Sequence, residues 1–195
     1  GQVQVRYAKM IATGVDALVH DLPSQTIEKI GRRGKYLLFY LTGGVLVSHL
    51  RMEGKYLFYP DAVPERKHAH VFFEMTDGGT LVYEDVRKFG TMELLRKDQL
   101  GAYFAARKLG PEPTEADFLL SPFAAALGRS KKPIKPYLLE QTLVVGLGNI
   151  YVDEALWRAR IHPARPAASL KPAEAKRLRE QIIEVLQLGI EKRGS

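Results

Sequence analysis

The stretch VVGLGNIYVDEALWRARIHP, residues 144–163, decides how the second half of this protein folds. Its apolar residues recur at helical spacing, but Gly146, Leu147, Gly148 and Asn149 interrupt the pattern. A glycine inside a helix costs about 1 kcal/mol relative to alanine, so two glycines around one leucine predict a tight turn between two helices. Asn149 then stands where the N-cap of the second helix belongs.

This predicted turn has the chemistry of an anion site. Free backbone N–H groups and the dipole at a helix start favour negative charge, and the amide of Asn149 adds a donor. Three cations lie nearby in sequence, Lys131, Lys132 and Lys135. The pattern indicates a clamp for a backbone phosphate, although a plain interhelical turn with a capping asparagine explains the same residues.

Composition narrows the classes of function. The chain has 195 residues, 46% of them apolar, with a formal net charge of +7 and no cysteine. The charge favours a polyanionic partner, while a basic protein without a nucleic-acid role remains open at this point. Without cysteine the chain has no disulfide, no thiolate nucleophile and no cysteine metal site. No run is long enough to span a membrane, and no Ser-His-Asp arrangement, P-loop or dinucleotide-binding glycine pattern occurs.

The first half of the chain has the two-residue alternation of β-strands. Glycine turns at residues 42–44 and 76–79 separate neighbouring strands as in hairpins. Strands are predicted at residues 2–7, 35–41, 45–50, 55–59, 70–75 and 80–85. Short strands at this spacing indicate an antiparallel sandwich or barrel.

After about residue 92 the periodicity becomes helical. Helices are predicted at residues 98–108, 114–128, 133–142, 149–158 and 172–192. The last of them has Pro172 and Glu174 at its N1 and N3 positions and a single apolar stripe of Leu178, Ile182, Val185, Leu186 and Ile190. A Gly-Pro-rich break at 109–113 separates a β domain, residues 1–108, from an α domain, residues 109–195. The fold class is therefore α+β.

Two loops of the β half combine cations with apolar side chains. The segment EDVRKFG, residues 84–90, sets Arg87 and Phe89 on one face of an extended segment. The segment HLRMEG, residues 49–54, offers Met52 in similar company. Such side chains suit insertion into a duplex, where apolar wedges fill a stack. A core phenylalanine beside a surface arginine explains the same pattern.

Basic and histidine residues mark two further segments. In IGRRGKY, residues 30–36, Lys35 lies at the entrance of a strand, where a solvated hairpin charge is equally plausible. In residues 67–70, His68 and His70 have the spacing of a metal pair, but no third ligand is apparent, and we predict no metal site. No spacing singles out an acid/base pair among the carboxylates Glu53, Glu84, Asp85, Asp153 and Glu154.

Six blocks of this sequence, in order and spacing, resemble the formamidopyrimidine-DNA glycosylase family, bacterial repair enzymes for oxidised purines. They are RRGKYL, SHLRMEGKY, DGGTLVYEDVRKFGTMELL, KLGPEP, KKPIKPYLLEQTLVVGLGNIYVDEALWRARIHP and the final amphipathic helix. The resemblance implies an N-terminal antiparallel β-sandwich followed by a helix–two-turn–helix domain, with DNA in the cleft between them. It also implies base flipping and a Schiff base formed by a secondary amine, followed by β/δ-elimination.

The resemblance assigns roles to seven positions of this chain. Lys35 matches a lysine that contacts phosphate and donates a proton during elimination. Three residues match those that fill the void left by the flipped nucleotide, Met52, Arg87 and Phe89. Four match contacts to the DNA backbone, His68, Arg87, Lys131 and Asn149.

The same resemblance implies the partner and its setting. The substrate is double-stranded DNA carrying 8-oxoguanine, a formamidopyrimidine or an abasic site, and the enzyme is a monomer of the bacterial cytoplasm that acts at the nucleoid, not at a membrane. The family pattern begins with Pro-Glu-Leu-Pro-Glu, whose proline is the nucleophile and whose next glutamate is the acid. It also contains a lesion-contacting loop and a four-cysteine zinc ribbon.

These segments do not occur in the 195 residues, and Arg193 stands where the family usually has glycine. We therefore expect a catalytically inactive core fragment without a cofactor, from a parent that carries one zinc. A non-catalytic DNA-binding module on the same fold is one alternative. A basic structural or RNA-associated protein without lesion preference is another.

Overall fold

The computed structural model describes residues 1–192 and divides into two compact units, Gly1–Tyr103 and a second unit from Phe104 onward. Arg193, the departure noted above, lies outside the described residues. The division falls within a short helix, Leu100–Ala106, so one element contributes to both units. The boundary predicted between residues 108 and 109 stays a prediction.

The first unit is a sandwich of two four-stranded antiparallel sheets, as predicted. One sheet has the order β1-β6-β7-β5 and the other β2-β3-β4-β8. The strands are β1 (Val3–Val5), β2 (Ile27–Arg33), β3 (Tyr36–Leu41), β4 (Gly44–His49), β5 (Lys55–Tyr59), β6 (Ala69–Glu74), β7 (Thr80–Glu84) and β8 (Thr91–Leu95). Together with the helices that follow, they give the α+β class expected from the sequence.

The helices gather in the second unit, with one helix among the strands of the first. They are α1 (Val15–Asp21), α2 (Leu100–Ala106), α3 (Leu120–Gly128), α4 (Ile134–Leu139), α5 (Asn149–Ala159) and α6 (Pro172–Glu191). Short 3-10 turns add Ala8–Met10, Lys97–Gln99 and Ala167–Ser169. Within residues 1–192, none of these helices has the length and apolar character needed to cross a membrane.

Several predicted boundaries are wrong. The helix expected over 114–128 begins only at Leu120, because the Thr114 hydroxyl accepts the Asp117 N–H at 3.1 Å and closes a separate turn. The helix expected over 133–142 ends at Leu139. Strands β2 and β8 and helix α1 were not predicted. Strand β2 exposes three consecutive residues on a polar segment, so it lacks the alternating apolar signal on which strand prediction rests.

Short connections define one end of the sandwich, which we call the Lys35 end. At this end the β2–β3 turn carries Lys35, β4 finishes at His49 and β7 finishes at Glu84. Loop 50–54 joins β4 to β5, and loop 85–90 joins β7 to β8. Both loops therefore pass from one sheet to the other at the same end.

The opposite end of the sandwich holds the α-amino group of Gly1. Next to Gly1, the carbonyl of Gln2 accepts the Glu74 N–H at 2.9 Å, where β6 finishes. Gly1 lines an apolar cavity of about 270 Å³ together with Ile27 and Leu41, which pair at the far ends of β2 and β3. The register thus separates Gly1 from Lys35 by the full length of the strands.

Helix α6 organises the core of the second unit. Pro172 occupies its first turn, and the Glu174 carboxylate accepts the Lys171 N–H at 3.0 Å, as the N1 and N3 prediction required. Four residues of the predicted apolar stripe are buried, Leu178, Ile182, Val185 and Leu186. Ile190 is not part of this stripe, since 62% of it is exposed near the end of the helix.

Candidate nucleic-acid interface

A tight hairpin turn displays Lys35. Gly34 and Lys35 connect β2 to β3, and Gly34 adopts a φ of 56°, which glycine tolerates without strain. The Arg32 guanidinium donates to the Gly34 carbonyl at 2.8 Å and ties the turn to its strand. Burial, and then the charge of Arg51, lower the pKa of Lys35, so its ammonium releases a proton more readily than a free lysine.

His49 lies beside Lys35, and the sequence analysis missed it. It pairs with Tyr36 across β3 and β4, with the two rings 4.8 Å apart and edge to face. Its Nδ1 accepts the Arg51 N–H at 3.0 Å, so Nε2 carries the proton. Burial, then the charges of Arg51 and Lys35, lower the pKa of His49 to about 4, and the ring is neutral at pH 7. The only signal in the sequence was a polar residue closing an apolar strand.

Loop 50–54 presents Met52 to solvent. Arg51 has a φ of 55°, and this left-handed residue turns the chain so that 71% of Met52 is exposed. The Met52 sulfur lies 3.5 Å from Nη1 of Arg87. Nε of Arg87 also pairs with the Glu53 carboxylate at 3.1 Å. The structure therefore brings two of the three predicted void-filling residues into contact.

Loop 85–90 carries Arg87 and Phe89, but it is not the extended segment that was predicted. Strand β7 ends at Glu84, and Lys88 adopts a φ of 58°, which breaks the two-residue alternation. Arg87 is nevertheless exposed, as is 60% of Phe89. Backbone hydrogen bonds within the loop, rather than strand periodicity, direct these side chains outward.

The two histidines of residues 67–70 lie in different environments. His68 is half-buried in the turn before β6, and its carbonyl accepts the Asp85 N–H at 3.0 Å. His70 is buried, with Nε2 at 2.7 Å from the Asp85 carbonyl oxygen. The suggested strand-face pair is therefore absent. Within residues 1–192, no group of three or more His, Cys, Asp or Glu residues is placed to hold a metal ion.

The carboxylates of this end are also engaged. Arg66 forms two hydrogen bonds with Glu84, at 2.6 and 3.0 Å, and Lys55 lies 3.7 Å from the same carboxylate. The hydrogen bond from Arg66 lowers the pKa of Glu84 below its usual value. Glu53 pairs with Arg87 as described, so the first unit offers mainly positive charge at its Lys35 end.

In the second unit, the glycine turn is built differently from the prediction. Gly146 has a φ of 99° and needs glycine, whereas Gly148 has an extended φ of −113°. The N-cap of α5 is Gly148, and Asn149 is the first helical residue, so the predicted capping role of Asn149 is wrong. Its side chain is exposed at the helix start, where the backbone N–H groups also point.

Gln141 stabilises this turn, and sequence reasoning missed it. Its side-chain amide donates to the Leu147 carbonyl at 2.7 Å and to the Leu139 carbonyl at 3.2 Å. Its side-chain oxygen accepts the Gly146 N–H at 2.8 Å. One side chain therefore connects the end of α4 to the loop that precedes α5.

Two of the three nearby lysines form ion pairs. Lys132 pairs with Glu140 at 2.8 Å, and Lys135 pairs with Asp153 at 2.7 Å. Lys131 is exposed in the segment before α4. The predicted clamp of three lysines is thus reduced, because internal carboxylates compete for two of them.

The family comparisons agree with this geometry in both halves of the chain. Residues 1–92 match the formamidopyrimidine-DNA glycosylase N-terminal domain, and residues 109–195 match the H2TH domain of the same family. A formamidopyrimidine-DNA glycosylase of Streptococcus pneumoniae is 66% identical over 193 residues, which cover 99% of this chain and 70% of that protein. One from Streptococcus pyogenes is 59% identical over the same shares of the two chains.

Solved structures show the same fold. The Lactococcus lactis formamidopyrimidine-DNA glycosylase, bound non-covalently to DNA containing an AP site, superposes with a TM-score of 0.97 at 48% identity. The match covers all of this chain and 75% of that one. A second Lactococcus lactis complex, with DNA containing FAPY-dG, has the same TM-score and identity and is covered to 73%. On this evidence the chain belongs to the formamidopyrimidine-DNA glycosylase family.

Proposed function

We propose that this chain serves base-excision DNA repair, in a glycosylase and AP lyase that removes oxidised purines such as 8-oxoguanine and formamidopyrimidines. The abasic strand is then cleaved by β/δ-elimination through a Schiff base. Family membership supports this function, as do the AP-site and FAPY-dG DNA held by the Lactococcus lactis relatives. The observation that carries it is the set of exposed wedge residues, Met52, Arg87 and Phe89, at the same end of the sandwich as Lys35.

The wedge residues suit a duplex from which one nucleotide has been turned out. Extrusion of a base costs a few kcal/mol of stacking and leaves an apolar gap with an unpaired base opposite. Met52 and Phe89 are largely exposed, and burial of such a side chain returns about 1.5–3 kcal/mol. Arg87, in contact with Met52, brings hydrogen-bond donors to the orphaned base.

Lys35 is proposed as the proton donor of the elimination steps. In β-elimination a proton passes from the sugar carbon next to the Schiff base to water, and the freed electron pair forms a carbon–carbon double bond. The carbon–oxygen bond to phosphate breaks, and the phosphate leaves with the bonding pair and receives a proton from Lys35. A lysine whose pKa is lowered by burial and by Arg51 is a stronger acid toward that phosphate. We add the neutral His49, whose Nε2–H is a donor beside the ammonium, as a second phosphate contact.

Further backbone contacts are proposed on both domains, residues 1–108 and 109–195. Besides Lys35, they are His68, Arg87, Lys131 and Asn149. The start of α5 supports the role of Asn149, because free N–H groups and the helix dipole attract a phosphate there. The positive net charge of +7 favours association with DNA as a whole.

The family resemblance implies a zinc ion held by four cysteines, and this chain has no cysteine to bind it. No proposed step uses a metal. We propose that the zinc belongs to the longer parent enzyme. Because the proposed substrate is DNA, we propose that the protein acts at the bacterial nucleoid, as a monomer.

The test is the affinity for a duplex with one stable abasic-site analogue relative to the intact duplex, at fixed salt. We expect a clear preference for the abasic duplex that Met52→Ala and Phe89→Ala each reduce. Phe58→Ala is the matched control, since Phe58 is 53% exposed on the same sandwich but lies in β5, outside the two loops. Equal binding of the two duplexes by the unsubstituted protein would reject the proposed function in favour of non-specific binding.

A further inference from the structure

The carboxylate of Asp85 is buried at the base of loop 85–90. Only 1% of the residue is exposed. One carboxylate oxygen accepts the N–H groups of Arg87 at 3.1 Å and Lys88 at 3.0 Å. The other accepts the Gly90 N–H at 2.8 Å and the Tyr83 hydroxyl at 3.0 Å. Four donors therefore satisfy a charge that would otherwise be expensive to bury.

These bonds hold a loop conformation that the chain does not favour by itself. Lys88 adopts a left-handed φ of 58°, a conformation that is strained for a residue other than glycine. The bonded N–H groups lie on both sides of Phe89 in the chain. Those of Arg87 and Lys88 precede it, and that of Gly90 follows it. The direction of Phe89 is thus set by a carboxylate that does not touch it.

Tyr83 links the same carboxylate to the second loop. A Cβ atom on Gly54 or on Gly90 would collide with the Tyr83 hydroxyl, so the backbones of both loops pack against that oxygen. Tyr83 is fully buried, and burial raises the pKa of its hydroxyl, which stays protonated as the donor to Asp85. On the far side, His70 bonds to the Asp85 carbonyl at 2.7 Å.

We propose that Asp85, held by Tyr83, is a positioning residue that fixes loops 50–54 and 85–90 together, so that Met52, Arg87 and Phe89 are presented as one wedge. This role rests on the proposed function, because the wedge acts only on DNA with a displaced nucleotide. Asp85 is 1% exposed, so its side chain does not lie on the surface that would face DNA. It acts through the backbone N–H groups of residues 87, 88 and 90.

The first readout is amide hydrogen exchange of the DNA-free protein. In Asp85→Asn only the side-chain oxygen still accepts hydrogen bonds. Either the N–H groups of residues 87 and 88 or that of residue 90 therefore lose their acceptor and should exchange about tenfold faster or more. Tyr83→Phe keeps the carboxylate and should give a smaller change in the same residues. Unchanged exchange in a folded Asp85→Asn protein overturns the proposal whatever the DNA result.

Tyr56→Phe is the matched control for general loss of stability. It also removes a tyrosine hydroxyl bond from the sandwich, the one to the Ser48 hydroxyl at 2.7 Å, without touching either loop glycine. Both Tyr→Phe variants should lower the melting temperature. Only Tyr83→Phe should alter exchange in loop 85–90, and a loop effect of equal size in Tyr56→Phe would show a merely structural role.

The second readout is the preference for an abasic duplex over an intact one. Asp85→Asn should reduce it about tenfold in the otherwise unchanged protein and by clearly less in a Phe89→Ala background, where only Met52 and Arg87 remain to be positioned. Additive losses in the double variant would overturn the positioning role. If Asp85→Asn fails to fold, Tyr83→Phe carries the same comparison. Absence of any preference in the unsubstituted protein defeats the proposed function and, with it, this role, while the exchange data still report whether Asp85 orders the loop.

Discussion

Lys35 and His49 are two basic residues whose pKa values are lowered by the same surroundings. Partial burial lowers the pKa of each residue, and the positive charge of Arg51 lowers it further. The imidazole therefore stays neutral and donates through Nε2, while the lowered pKa of Lys35 makes its ammonium a stronger acid than that of a free lysine. This division of roles suits a leaving phosphate, which needs both a hydrogen-bond donor and an acid.

The influence of Arg51 is testable on its own. Arg51→Ala should raise the pKa of His49 from about 4 toward its ordinary value, because a like charge is removed. The rise should be incomplete, since burial is the larger cause. A histidine-detected NMR titration measures it, with Lys29→Ala, further along the same sheet, as the control. An unchanged pKa would mean that burial alone acts on His49.

His49 should also make stability depend on pH. Its pKa falls from 6.5 in the unfolded chain to about 4 in the folded protein, so between these values the unfolded state binds more protons. The free energy of unfolding should therefore decrease as pH drops from 6.5 to 4. Denaturant titrations of the unsubstituted protein and of His49→Gln test this. The variant should lose less stability over that interval, and parallel curves would contradict the assignment.

At the level of elements, the connection between α4 and α5 depends on one glycine and one glutamine. Gly146 supplies the left-handed backbone, and Gln141 supplies three hydrogen bonds. The sequence predicted a glycine turn here, and the structure has one. Gln141 could not be predicted, because its partners lie on both sides of the turn and only the folded loop brings them within reach.

Gly146→Ala should destabilise the second unit by about 1–2 kcal/mol, because a Cβ atom is strained at a φ of 99° although it would meet only Leu186, at an ordinary contact distance of 3.8 Å. Gly128→Ala is the matched control, since a Cβ atom there would meet nothing within 4 Å and the residue lies in α3 with helical geometry. It should be neutral or stabilising by up to about 1 kcal/mol. Chemical denaturation measures both, and equal effects of the two substitutions would contradict a conformational cause.

At the level of the whole molecule, the strands of the sandwich separate Gly1 from Lys35. The α-amine of Gly1 lies at one end and Lys35 at the other, beside the wedge. Only Lys35 is near the proposed phosphate contacts, where its proposed role is that of an acid. The structure thus has Lys35 and the proposed wedge residues at one end of the sandwich and Gly1 at the other.

Borohydride trapping on a duplex with a single abasic site should therefore yield no covalent adduct with the 195-residue chain. A full-length enzyme of the family is the positive control. An adduct would contradict the expectation of an inactive chain, and peptide mapping would identify the amine. Loss of that adduct in Lys35→Arg would further assign the nucleophile to Lys35 and replace its role as proton donor.

The sequence alone determined the α+β class, most strands and helices and the glycine turn, because hydrophobic period, turn residues and helix-start signals are local properties of the chain. The resemblance in its motifs supplied the family, which the comparisons confirmed. Only the tertiary structure decided which side chains meet. Strand register placed His49 beside Lys35, and the loop connections brought Met52 to Arg87. In the sequence Asp85 is one carboxylate among several. Only the fold buries it and directs its hydrogen bonds to Tyr83 and Gly90, since burial and hydrogen-bond geometry depend on tertiary packing.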